Sequence, residues 1–187
     1  QDHIKAEDLP TAHSAGYVAV VIGASYATKK LPLLKLQQLC KKINFPIVLV
    51  GGPEDAKEGD AVAVIDPIKI YNACGKFSLN ESASIVQKSR VVISHDTGLQ
   101  YIACAFNKPV LAIWGSTSPK LQVEPYYGEV TLAAMGLSKP PYQNFIVPHL
   151  TCQPCSNYGT KKCPKGHFNC MMLQDTTAIA AAVEKYL

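Results

Sequence analysis

The chain of 187 residues has no apolar run approaching the ~20 residues that span a bilayer. Its N-terminus has no basic stretch leading into an apolar one, so no secretory signal is read there. Charge is sparse, at 17% of residues, and the net charge of +4 is spread among interspersed acids and bases. That is no nucleic-acid footprint, although it is compatible with an anionic ligand or a weak membrane-surface preference. No glycine-rich dinucleotide fingerprint follows the first apolar run, and no Walker sequence is present, so neither a redox enzyme nor a kinase is supported. There is no internal repeat and no low-complexity segment. With 48% hydrophobic residues, the chain has enough apolar surface for one full core.

What is present is alternation. Residues 1–15 are polar and read as a linker or frayed arm. Residues 16–187 read as one domain. Tyr17–Ile22, Pro46–Val50, Arg90–Ser94 and Val110–Trp114 are short apolar runs of the buried-strand kind. Ala61–Ile65 and Ile70–Ala73 are further strand candidates, and Glu129–Ala133 is a candidate last edge strand. Between them, Leu31–Ile43, Ser78–Lys88 and Thr97–Phe106 carry helical patterns, and Asp175–Leu187 is an alanine-rich terminal helix capped by Asp175 or Thr176. Ser78 and Glu81 form a capping-box signature. Strands alternating with helices predict an α/β, Rossmann-like parallel sheet covered on both faces.

In such sheets ligands bind beyond the carboxyl ends of the strands. Four small or polar loops converge on that edge: Gly23-Ala24-Ser25 followed by Lys29-Lys30, Gly51-Gly52-Pro53-Glu54, His95-Asp96-Thr97-Gly98 and Gly115-Ser116-Thr117. The third is the most informative. Gly98 allows close approach to the backbone, and the amides of the following helix start suit an anion such as a diphosphate. Asp96 could accept hydrogen bonds from sugar hydroxyls. The bland alternative is that Asp96 or Thr97 merely caps the helix.

Lys29-Lys30-Leu31-Pro32, Val48–Pro53, Gly75–Leu79, His95–Leu99 and Ile113–Pro119 fall in an order that resembles glycosyltransferase family 9, the ADP-heptose:lipopolysaccharide heptosyltransferases. The resemblance covers roughly residues 17–187. It implies the C-terminal, donor-binding half of a two-domain GT-B enzyme in lipopolysaccharide core biosynthesis. Such an enzyme acts in the cytoplasm, at the inner face of the inner membrane. The acceptor site and general base would lie in an N-terminal domain upstream of Gln1, and this half alone would be inactive in transfer. Carried over by position, Lys29 contacts donor phosphate and sugar, Ser25 contacts phosphate, and Glu54 lies near the ribose. Phe77 and Leu79 flank adenine, Asp96 meets the sugar, and Thr97 and Gly98 offer amides to the diphosphate. Lys29 and Asp96 would be the catalytic pair, with no metal required. One departure stands out: Tyr101 occupies the place where the family usually has His, which leaves the donor sugar open. The alternatives are a GT-B transferase or epimerase using a different nucleotide-sugar, or a non-catalytic nucleotide-binding module.

Cysteine usage is uneven. Cys40, Cys74 and Cys104 sit in apolar contexts as small core residues. Cys152, Cys155, Cys163 and Cys170, with His167, crowd into a segment (150–172) within the stretch 136–174 that breaks the alternation. They could supply four zinc ligands, but the spacing lacks a second Cys-x2-Cys. Disulfides are disfavoured in a cytoplasmic enzyme. The favoured reading is reduced cysteines packing a loop, with zinc as the alternative.

Overall fold

An apolar run of four residues is too short for a helix and has no polar face to show to water, so it belongs in the middle of a sheet. The computed structural model, which describes residues 3–187, bears this out. Strands β1 (Val18–Val21), β2 (Ile47–Val50), β4 (Val91–His95) and β5 (Val110–Ile113) are buried at every residue. With β3 (Ile70–Asn72) and β6 (Tyr142–Phe145) they form one sheet of order β3-β2-β1-β4-β5-β6, parallel at every pairing.

The two-residue period of the strands divides the core into two layers. Val18, Val20, Leu49, Ile93 and Leu111 face one side, where they meet α1 (Leu33–Lys42), α2 (Ala56–Ala63), α6 (Asn169–Met172) and α7 (Thr176–Val183) through Leu36, Leu39, Val62, Met171, Ile179 and Val183. Ala19, Val21, Val48, Val92 and Ala112 face the other. There they meet α3 (Leu79–Lys88), α4 (Gly98–Ala105) and α5 (Glu129–Ala134) through Ile85, Val86, Ala103, Cys104 and Leu132. Each fully buried Leu, Ile or Val contributes about 1.5–3 kcal/mol relative to exposure. The two layers are therefore the principal source of stability. Cys40, Cys74 and Cys104 are all buried in them. The expected capping box closes α3, with Glu81 N donating to Ser78 Oγ at 3.3 Å and Ser78 N to Glu81 Oε2 at 2.8 Å. Asp175 caps α7 by accepting from the amides of Thr177 and Ala178.

Three expectations change. Ala61–Ile65 is the end of α2 and its following turn, not a strand: Val62 is buried whereas Val64 is 71% exposed, the asymmetry of a helix on a surface. Glu129–Ala133 lies in α5, entered from Gly128 at φ +77°, and the sheet edge is taken instead by Tyr142–Phe145. The arm before β1 is not frayed from residue 3 onward; Gln1 and Asp2, within the expected linker 1–15, lie outside the described residues. Ile4 and His13 are each 2% exposed, and His13 Nε2 lies 3.0 Å from the carbonyl oxygen of Ile47 and 3.1 Å from that of Lys69. The imidazole thereby pins the segment across the entries to β2 and β3. Among the described residues no helix is long and apolar enough to cross a membrane.

Candidate functional site

The strand order reverses direction between β1 and β4, and in open parallel sheets ligands bind outside the carboxyl ends of the strands at such a switch point. The chain leaving β1 makes one 3-10 turn, Ala27–Lys29, and the chain leaving β4 runs through Asp96 and Thr97 into α4. Their side chains meet across the switch point: Lys29 Nζ lies 2.8 Å from Asp96 Oδ2, with the two side chains 13% and 11% exposed. Charges so far withdrawn from water persist when each neutralises the other. Lys30 points to the neighbouring loop, 2.7 Å from Asp55 Oδ1 and 2.8 Å from Glu58 Oε2. Burial pulls the Lys30 pKa down, but its hydrogen bonds to Asp55 and Glu58 outweigh burial, and the net shift is upward. Two adjacent lysines thus tie together the loops that follow β1, β2 and β4.

Glycines make this approach possible. A Cβ on Gly23 would fall 2.4 Å from Asp55 Oδ2, and one on Gly51 would fall 2.8 Å from the same atom. The Asp55 carboxylate therefore occupies a cradle that any larger residue would fill. A Cβ on Gly115 would lie 2.2 Å from the Thr28 carbonyl oxygen, so the loop after β5 can lie against the lysine turn only because residue 115 is glycine.

The start of α4 is open. Thr97 is the N-cap residue, yet its side chain makes no capping hydrogen bond, and the Asp96 carboxylate is paired with Lys29. Capping therefore does not account for either residue. A Cβ on Gly98 would meet no atom within 4 Å, so the packing of the chain itself does not demand glycine here. An unpaired helix start beside an ammonium group is a place where an anion is stabilised by amides, dipole and charge together.

Two residues beside the pair have structural duties that composition does not reveal. His95 is buried, and its Nε2 accepts a hydrogen bond from Leu31 N at 2.9 Å, locking the chain just after the two lysines. Burial, then the charge of Lys30, pulls its pKa down to about 3, so the ring is neutral. Tyr101 is 40% exposed and donates to the Val123 carbonyl at 2.9 Å. Burial, then the nearby Asp96 carboxylate, pushes its pKa up, so it stays a neutral phenol.

The remaining candidates lie around the same edge. Ser25 and Glu54 are exposed on the loops after β1 and β2. Phe77 is half-buried against the second core layer, and Leu79, the first residue of α3, is 69% exposed. Among the described residues no hydrogen bond or ion pair joins these four to Lys29 or Asp96.

The Cys-rich segment backs the site. Gln153 Nε2 donates to the carbonyls of Trp114 (3.2 Å), Gly115 (2.6 Å) and Thr117 (3.0 Å). The amides of Cys155 and Ser156 donate to Ser116 O. All seven cysteines are free thiols. Burial, then the other three thiols of the segment, pushes Cys170 up to about 12. Cys163 is lowered, its slight burial being outweighed by the amides of Phe168, Lys165, Gly166 and His167. Cys152 Sγ lies 3.8 Å from His167 Nε2, but among the described residues no group of three or more His, Cys, Asp or Glu side chains is arranged to hold a metal ion.

A family profile described as glycosyltransferase family 9 (heptosyltransferase) matches residues 1–162. The lipooligosaccharide heptosyltransferase 2 of Haemophilus influenzae is 30% identical over 90 residues, covering 46% of this chain and 26% of that protein. The Haemophilus ducreyi protein of the same name is 32% identical over 124 residues, covering 61% of this chain and 36% of that protein. Among solved structures, the E. coli ADP-heptose LPS heptosyltransferase II superposes with a TM-score of 0.67 at 15% identity, over 91% of this chain and 46% of that one. A family 9 glycosyl transferase from Veillonella parvula superposes with a TM-score of 0.64 at 16% identity, over 97% and 49%. At these identities the likeness to solved structures is one of fold. The chain spans about a third or less of the two curated relatives and just under half of the two solved chains.

Proposed function

The chain belongs to glycosyltransferase family 9, the heptosyltransferase family, and from that premise we propose that residues 16–187 bind the nucleotide-sugar donor of an inverting heptosyltransferase. The observation that carries this reading is the Lys29–Asp96 pair across the β1/β4 switch point, beside the uncapped start of α4. A nucleoside diphosphate needs cationic charge and directed amides in one place, and this edge supplies both.

In the proposed reaction a hydroxyl of the lipopolysaccharide core attacks the anomeric carbon of the heptose. The bond to the diphosphate oxygen breaks, ADP leaves with the electron pair, and the hydroxyl proton passes to a base in the acceptor-binding domain. This chain's task is to stabilise the leaving group. Lys29 and the amides at Thr97 and Gly98 neutralise charge building on the diphosphate, and Asp96 is released from Lys29 to hold sugar hydroxyls. Removing one such preorganised donor typically costs ~10²–10³ in rate. No metal is needed, because the lysine and the helix start do its electrostatic work. Ser25 and Glu54 extend the site toward phosphate and ribose, and Phe77 and Leu79 toward the base. The reading places the enzyme in the cytoplasm, drawing its acceptor from the inner face of the inner membrane. The isolated chain should bind donor without transferring sugar.

The test is turnover of ADP-heptose by the full-length enzyme carrying Lys29→Ala or Asp96→Ala. Both variants should lose at least about a hundredfold in kcat. Near-wild-type turnover in both would sink the site assignment. Tyr101, in place of the family's usual His, favours a second reading in which the donor carries a different sugar or base. Tighter binding of UDP than of ADP to this chain would support that reading over the first.

A further inference from the structure

Lys29 is the last residue of a single 3-10 turn, closed by Lys29 N donating to Tyr26 O at 3.0 Å and Lys30 N to Ala27 O at 3.1 Å. One such turn is a weak support for a lysine, whose long side chain loses much rotamer freedom when held in one place. The support comes from elsewhere in the chain. Thr28, 3% exposed, uses every polar group it has. Its amide donates to Thr160 O at 3.2 Å, and its carbonyl accepts from Ser116 N at 3.0 Å. Its hydroxyl lies 2.9 Å from Thr160 O, 2.8 Å from Thr160 N, 2.8 Å from Ser116 Oγ and 3.2 Å from Thr160 Oγ1. One donor and two acceptor positions satisfy the three shorter contacts if the hydroxyl donates to the carbonyl and accepts from the other two. The neighbouring Gly159 sits under the lysine stem at φ +104°. A Cβ there would fall 2.9 Å from Lys29 Cδ and 2.7 Å from Tyr26 Cβ. Gln153, earlier in the same segment, holds the 114–117 loop that forms the other side of the grip.

We infer that the first part of the Cys-rich segment, residues 153–160, is a strap that positions Lys29 for the donor diphosphate, with Thr28 as the positioning residue at its centre. The inference rests on the reading of Lys29 as the phosphate-binding lysine. It gives a function to the stretch that interrupts the strand–helix alternation: its backbone and Gly159 hold the lysine turn, independently of any chemistry at its thiols.

The test is calorimetric titration of the chain with ADP, with unfolding curves to confirm that each variant folds. Lys29→Ala should weaken ADP at least about tenfold, the range expected for losing a charge-assisted contact. Thr28→Val preserves shape and removes only the hydroxyl, and should weaken ADP about fivefold, whereas Thr28→Ser, which keeps the hydroxyl, should restore binding to within about twofold. Because Thr28 acts through Lys29, adding Thr28→Val to Lys29→Ala should produce no further loss. Wild-type affinity in Thr28→Val, or a double variant weakened by the product of the two single effects, would overturn the strap while leaving the donor-site reading intact. Unchanged affinity in Lys29→Ala would overturn the donor-site reading itself, and the strap with it. Should Thr28→Val fail to fold, Gly159→Ala displaces the lysine stem directly, and the same loss and the same non-additivity with Lys29→Ala are required of it.

Discussion

Replacing Asp96 by alanine should separate binding of the nucleotide from transfer of the sugar. Asp96 Oδ2 and Lys29 Nζ are 2.8 Å apart. An effective dielectric constant of about 20 gives them a gross attraction of about 6 kcal/mol. Desolvation of two side chains no more than 13% exposed consumes most of that attraction. The net loss on Asp96→Ala is then the cost of an uncompensated ammonium at partial burial, about 2–3 kcal/mol, below the cost for a fully buried pair. A diphosphate is the natural replacement for the missing charge, and it no longer has to displace or tolerate a carboxylate. ADP should therefore bind Asp96→Ala roughly three- to tenfold more tightly than wild type, a gain of about 1 kcal/mol from removing one screened like charge. ADP should also raise the variant's melting temperature by more than it raises wild type's. Sugar turnover in the full-length enzyme should fall all the same, because the hydroxyl acceptor is gone. Calorimetry with ADP measures the gain in binding, a turnover assay the loss of transfer, and unfolding in urea the loss of stability. If ADP binds Asp96→Ala as weakly as it binds Lys29→Ala, the carboxylate is not a competitor for Lys29, and the reasoning fails.

Two further outcomes follow from the residues that support the pair. His95 is neutral in the fold, with its pKa pulled down to about 3, whereas in the unfolded chain it takes up a proton below about pH 6.5. The unfolded state therefore binds more protons between those values, and stability falls as pH drops through 6.5. Between pH 7 and pH 5 this one group should remove about 2 kcal/mol, and urea unfolding should show that increment missing from His95→Gln, whose side-chain oxygen can still accept from Leu31 N. Gly23→Ala would place a methyl group 2.4 Å from Asp55 Oδ2, forcing the carboxylate off Lys30. It should destabilise the chain by about 1–3 kcal/mol, and a melting temperature unchanged from wild type would refute the cradle.

Much of the fold was legible because β1, β2 and β5 are unbroken apolar runs, and β4 opens on one (Val91–Ile93), too short for helices. β6 was not: Tyr142-Gln143-Asn144-Phe145 is a polar edge strand, specified by pairing with β5 and by the 2.8 Å hydrogen bond from Trp114 Nε1 to Asn144 Oδ1. α5 and the end of α2 carry strand-like sequence because β-branched residues in short windows favour either state, and only the packing of one face decides between them. Lys29 and Asp96 could be singled out because they follow strands at the ligand edge. That they face each other needed the sheet order, which local pattern does not encode. That neither Asp96 nor Thr97 caps α4 with its side chain likewise needed geometry, since capping and anion binding call for the same residues. His95 as the anchor of Leu31, and Thr28 and Gly159 as the grip on Lys29, rest on contacts between distant parts of the chain and leave no local signature.

The central claim is that a nucleoside diphosphate is held at the β1/β4 switch point. Its most direct test is a crystal structure of the chain with ADP. The account predicts the diphosphate within hydrogen-bond distance of Lys29 Nζ and of the first amides of α4, with the Asp96 carboxylate turned away from it. A diphosphate bound elsewhere, with the Lys29–Asp96 pair intact, would contradict it.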